Sequence, residues 1–210
     1  MKLITFLIAV SSVVLLSGCG DSPLSTSGME DYFPMELGDW WFYDYYAVQT
    51  EPDSMLWEEG SYFDIVISVS EDTFLVARTA SFWVSSGQPR PDTLVALDTL
   101  TYIINPDSVV LYLSPGSTAY RELDFPLLLN KTWGDYTVTD MHVDLSVPEG
   151  FYEDCACIGW YYEVILSTIY TYYCPDVGIV AKYIYDADMI GSGIFLRDYI
   201  FELSSSSRID

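Results

Sequence analysis

The sequence predicts an all-β chain, a single domain in which an antiparallel meander sheet curls into a barrel or half-barrel. Three observations carry that prediction. Short runs rich in Tyr, Val, Ile, Thr and Trp recur from Tyr32 onward. Gly, Pro, Asn and Asp punctuate them at close intervals, where the chain must turn. No long stretch carries the 3.6-residue periodicity of an amphipathic helix.

The elements follow in order. A first strand is expected near 39–48. In SYFDIVISVS, Phe63, Ile65, Ile67 and Val69 alternate with Tyr62, Asp64, Val66 and Ser68, the pattern of a half-buried strand. Ser70 to Asp72 then turns the chain into TFLVART. A strand near 91–99 leads into TYIINPDSVVLYL, a hairpin with Asn105, Pro106, Asp107 and Ser108 at its tip. Further strands are expected near 133–147, 177–186 and 193–203, with 153–162 and 167–174 forming another hairpin. About nine or ten closely connected strands suit a sheet that curls to bury one face.

A faint internal repeat runs through these elements. FPMELGDWW at Phe33 to Trp41 aligns with FPLLLNKTW at Phe125 to Trp133, an offset of 92. Glu59, Gly60, Tyr62 and Asp64 correspond to Glu149, Gly150, Tyr152 and Asp154 at an offset of 90. Two related halves of one sheet would produce this spacing.

Ahead of the β domain, Met1 and Lys2 precede the uncharged run Leu3 to Leu16, too short for the roughly 18 or more apolar residues of a spanning helix. Residues 1–18 therefore read as a signal peptide. Leu16, Ser17, Gly18 and Cys19 resemble the lipobox of bacterial lipoproteins. That resemblance implies cleavage after Gly18, a diacylglyceryl thioether on Cys19 and acylation of its new amino group, a palmitate-type anchor. Several acyl chains hold a protein at a bilayer without a helix, because each buried methylene gains about 0.8 kcal/mol. Residues 19–31 are small and polar, as a tether should be. The lipoprotein resemblance also implies sorting: aspartate after the lipidated cysteine favours inner-membrane retention, and Gly20 stands there instead, so the outer membrane is expected. The β domain then covers 32–203, and 204–210 form a polar tail.

The chain carries 8 basic and 31 acidic residues, a net charge of −23. Such a surface repels phosphate backbones, which excludes nucleic acid as a partner. Besides Cys19 there are Cys155, Cys157 and Cys174, in a compartment that the signal makes oxidising. Cys155 and Cys157 point the same way along one strand, so one bridge is expected from Cys174 to either of them, with one thiol left over.

A second resemblance rests on three segments: YFPMELGDWWFY at Tyr32 to Tyr43, VPEGFYEDC at Val147 to Cys155, and YYCPDVGIVAK at Tyr172 to Lys182. Together they are similar to landmarks of a group of bacterial envelope lipoproteins to which no reaction is assigned. The chain departs from that pattern with Asp176 where a glycine is usual and with Lys182 one place late.

Chemistry is sparse. His142 is the single histidine, and no nucleophile elbow or phosphate-binding loop accompanies it. In DMHVD, Asp140, His142 and Asp144 share one strand face and form a weak candidate metal site. No cofactor is expected. The expected function is non-enzymatic: a membrane-tethered β domain that binds an apolar or amphipathic ligand, or an envelope protein partner. Trp41, Trp57, Trp83 and Trp133 are the candidate ligand-facing residues. The alternatives are a structural or interaction protein of the envelope, or carbohydrate binding on aromatic platforms.

Overall fold

The computed structural model describes residues 32–51, 55–84, 93–105, 109–113, 119–162, 167–190 and 193–208. The signal segment, Cys19 and the tether lie outside the described residues. Twelve strands follow one another: β1 (Trp40–Glu51), β2 (Met55–Ser70), β3 (Thr73–Val84), β4 (Thr93–Asn105), β5 (Val109–Leu113), β6 (Tyr120–Asp124), β7 (Thr132–Trp133), β8 (Tyr136–Val147), β9 (Gly150–Tyr162), β10 (Ser167–Cys174), β11 (Gly178–Ile190) and β12 (Gly193–Ser206). The expected count was lower because β6 and β7 are too short to show an alternation.

All twelve strands form one antiparallel, nearly closed barrel in the order β6-β5-β4-β3-β2-β1-β12-β11-β10-β9-β8-β7. The chain therefore makes two six-stranded meanders, joined where β1 pairs with β12. Phe33–Trp41 leads into the first meander and Phe125–Trp133 into the second, the arrangement that the 92-residue repeat suggested. The last strand runs beyond the expected boundary at 203. Phe42 pairs with Ser205 and Trp41 with Ser206, so part of the polar tail belongs to the sheet.

Local geometry follows from the turn residues. Glu71 takes a left-handed conformation (φ 51°) in the two-residue turn between Ser70 and Thr73. Asp176 does the same (φ 65°) in the turn between β10 and β11. Aspartate tolerates this region better than most residues. Gly159 is required for a different reason: a Cβ there would lie 2.9 Å from Thr139 Cγ2 of the neighbouring β8.

One end of the barrel is packed solid. Phe33, only 3% exposed, stacks edge-on against Tyr102 of β4 at 5.2 Å and lies 6.5 Å from Tyr173 of β10. It therefore reaches the middle of the barrel from the segment ahead of β1. Around it are buried Val66, Val76, Leu100, Val110, Leu123, Val138 and Leu203, drawn from seven strands. Burying such side chains stabilises the fold by about 1.5–3 kcal/mol each.

On β2 the interior face is the one bearing Tyr62, Asp64 and Val66, whereas Ile67 and Val69 are exposed. The alternation was legible in the sequence, but it did not say which face turned inward. No ladder joins the outermost strands β6 and β7 among the described residues. Side chains bridge that seam instead. Trp133 Nε1 donates to Arg121 O at 3.3 Å, and Lys131 Nζ donates to Asp124 Oδ1 and Asp124 O, each at 2.7 Å.

Candidate functional site: the barrel interior

Above the packed layer the barrel encloses a cavity of about 560 Å3. Every strand except β7 contributes to its wall, so the space is the interior of the barrel rather than a surface groove. Alternation along each strand sends one side chain in two toward this space. Six tyrosines line it: Tyr43, Tyr62, Tyr102, Tyr112, Tyr120 and Tyr136. Trp160, Phe201, Ile158, Ile169 and Ile179 complete its apolar surface. The volume falls within the roughly 300–1,000 Å3 of sites that hold small molecules.

Charged groups break this aromatic wall in four places: the Asp64–Arg78 pair, Glu122, Lys182 and the solvent-exposed Asp135. Asp64 on β2 and Arg78 on β3 face each other in register. The guanidinium donates twice to the carboxylate, Nε to Oδ1 at 2.7 Å and Nη2 to Oδ2 at 2.6 Å. Burial works against the Arg78 charge, but these bonds and the Asp64 charge more than offset it and hold the proton. The guanidinium also lies 5.3 Å from the Tyr62 ring centre. Burial, opposed by Arg78, pushes the Tyr62 phenol up to about 12.

On β6, Glu122 accepts a hydrogen bond from the Tyr173 hydroxyl at 2.9 Å. On β11, Lys182 turns inward because the strand carries a bulge. Tyr172 pairs with Ala181 while Tyr173 pairs with Ile179, which leaves Val180 as the extra residue. Ile179 and Lys182, three positions apart, consequently both line the cavity. Burial pushes the Lys182 ammonium below its usual range; Glu122 pulls the other way and Arg78 adds to the lowering.

The sequence-predicted site residues fall elsewhere. Trp41 is buried in the packed layer, with Nε1 donating to Val177 O at 2.9 Å. Trp133 is buried at the seam, stacked on Tyr136 at 5.8 Å. Neither lines the cavity. The side chains of Trp57 and Trp83 lie outside the described ones. Trp160 is the tryptophan that the cavity wall contains, and Tyr136 stacks on it at 6.1 Å.

Asp140, His142 and Asp144 are all exposed, but the three do not converge. Asp140 accepts from the Met141 backbone at 2.7 Å, and His142 Nδ1 faces Asp154 at 3.1 Å. Among the described residues no three His, Cys, Asp or Glu side chains are grouped to hold a metal ion. Cys155 is joined to Cys174 with a Cα separation of 4.2 Å, and Cys157 is a buried free thiol.

Comparison with protein-family models and with curated proteins finds no match. Among solved structures, the chain is similar to a candidate lipoprotein of Parabacteroides distasonis. The TM-score is 0.53 at 15% identity, covering 84% of this chain and 98% of that one. The shared property is the fold. A candidate exported protein of Bacteroides fragilis with a YmcC-like fold aligns with a TM-score of 0.46 at 13% identity, covering 84% of this chain and 99% of that one.

Proposed function

We propose that this chain is a lipid-anchored protein of the bacterial envelope, on the outer membrane, whose barrel holds a small amphipathic ligand without transforming it. The observation that carries the reading is the interior cavity, walled by aromatic and aliphatic side chains from nearly the whole barrel and interrupted by a few charged groups. That mixture is the usual make-up of a small-molecule site: apolar area for affinity, a few polar groups for orientation. The Leu16–Cys19 motif supports the anchor, and the glycine at position 20 supports the outer membrane. The likeness to a candidate lipoprotein agrees with that address. The groups that the sequence offered for nucleophilic chemistry, His142 and a free thiol, do not border the cavity.

The test is a fluorescence titration of the purified protein with N-phenylnaphthylamine, a neutral dye that brightens in apolar surroundings. Saturable binding of one dye per chain is expected, with binding weakened when Thr171 on the cavity wall becomes Trp. Binding unaffected by Thr171→Trp would place the dye elsewhere and overturn the reading.

A further inference from the structure

We infer that the ligand is a carboxylate-bearing amphiphile whose anionic head docks on Lys182 and whose acyl or aryl body lies against the aromatic wall. The inference rests on the barrel-interior reading above and adds the chemical class.

Lys182 is the cavity's uncommitted cation. Its cross-strand neighbours are Thr171 on β10 and Phe201 on β12, and neither supplies an anion. Among the described residues it has no hydrogen-bond or ion-pair partner. The other cation on the wall, Arg78, already spends its fork on Asp64. Glu122 acts on this buried ammonium through charge alone, without a direct contact, and an anion placed beside it offsets the remaining cost of burial.

The remaining polar groups support the same head group. The hydroxyls of Tyr102, Tyr112, Tyr120 and Tyr136 border the cavity and have no hydrogen-bond partner among the described residues. They are donors that a carboxylate's second oxygen can use. The wall also carries the acids Glu122 and Asp135, neither of which has an ion pair among the described residues. Glu122 is engaged by the Tyr173 hydroxyl, and Asp135 is exposed to solvent. Lys182 is therefore the one lining cation without a direct ion pair among the described residues, and the head-group assignment rests on it.

The experiment is calorimetric titration of the purified protein with dodecanoate, dodecanol and dodecylamine, three probes that share one body and differ in the head. The acid is expected to bind at least about tenfold tighter than the alcohol, a difference of about 1.4 kcal/mol. The amine is expected to bind weakest. In Lys182→Met the acid's advantage over the alcohol should disappear. Equal affinity for acid and alcohol in the wild-type protein, a comparison that needs no variant, overturns the anion assignment. So does an acid preference that survives Lys182→Met. In either case the barrel reading stands if the N-phenylnaphthylamine result holds. Failure of all three probes to bind or to displace the dye overturns the assignment as well.

Discussion

The Tyr173 hydroxyl donates to the Glu122 carboxylate across 2.9 Å, linking β10 to the edge strand β6 over 51 residues of sequence. Tyr173 is 1% exposed, and burial, with Glu122 beside it, pushes its phenol well above the usual range. With the Trp133–Arg121 and Lys131–Asp124 contacts, this bond spans the side of the barrel that no ladder closes. Tyr173→Phe keeps the ring and removes the donor. Hydrogen bonds to charged groups contribute about 1.5–3 kcal/mol, so a loss of that size in urea unfolding is expected. A loss below about 0.5 kcal/mol would mean that the seam is held by other contacts.

The Asp64–Arg78 pair makes a second prediction. Asp64 is 7% exposed, so Arg78→Met strands a carboxylate inside the barrel. Breaking one partner of such a pair costs about 3–5 kcal/mol. The double variant Asp64→Asn with Arg78→Met removes both charges and should recover most of that loss. A double-mutant cycle by chemical denaturation reads the coupling directly.

The cysteines separate into two classes. A bridge closing a loop of 19 residues contributes about 3 kcal/mol by restricting the unfolded chain. Replacing Cys155 and Cys174 together by Ser should lower stability by about that amount. Cys157 is 4% exposed, and burial pushes its thiol up despite hydrogen bonds with Thr139 and Tyr172. The thiolate is the reactive form, so iodoacetamide should label Cys157 only in denaturant. Labelling of the native protein would contradict its burial.

The seam should also respond to acid. Burial raises the Asp124 carboxyl, but hydrogen bonds and charge from Lys131 and then Arg121 outweigh it and hold the group below its ordinary 3.8. A folded value below the unfolded one contributes stability that is complete above the unfolded value and is lost as pH falls through the folded one. Wild-type protein should therefore exceed Asp124→Asn in stability at about pH 6, with the gap narrowing below about pH 4. A gap independent of pH would assign the effect to packing.

Much of the fold was legible because strand patterning and turn chemistry are local. The turn at Ser70–Asp72, the hairpin of β9 with β10 and the start of β1 are where the sequence put them. The 92-residue repeat even marked the two meanders. The interior was not legible, for reasons visible in particular residues. Period-two alternation on β2 reveals two faces without saying which closes inward, and here the tyrosine and aspartate face does. On β11 the Val180 bulge reverses the parity, so no regular pattern would bring Lys182 to the same side as Ile179. Tryptophan marked core rather than cavity: Trp41 and Trp133 each spend the indole N–H on a backbone carbonyl. The tyrosines, numerous throughout the chain, gave no signal that six of them would share one space.

The central claim is that the barrel interior is a chamber for a small molecule. Native mass spectrometry of the protein, extracted in mild detergent from the envelope of the cell that makes it, tests this most directly. The account predicts a reproducible adduct of one small molecule per chain, absent from Thr171→Trp extracted in the same way. Wild-type protein that is free of any adduct, or an adduct equally present on Thr171→Trp, would contradict it.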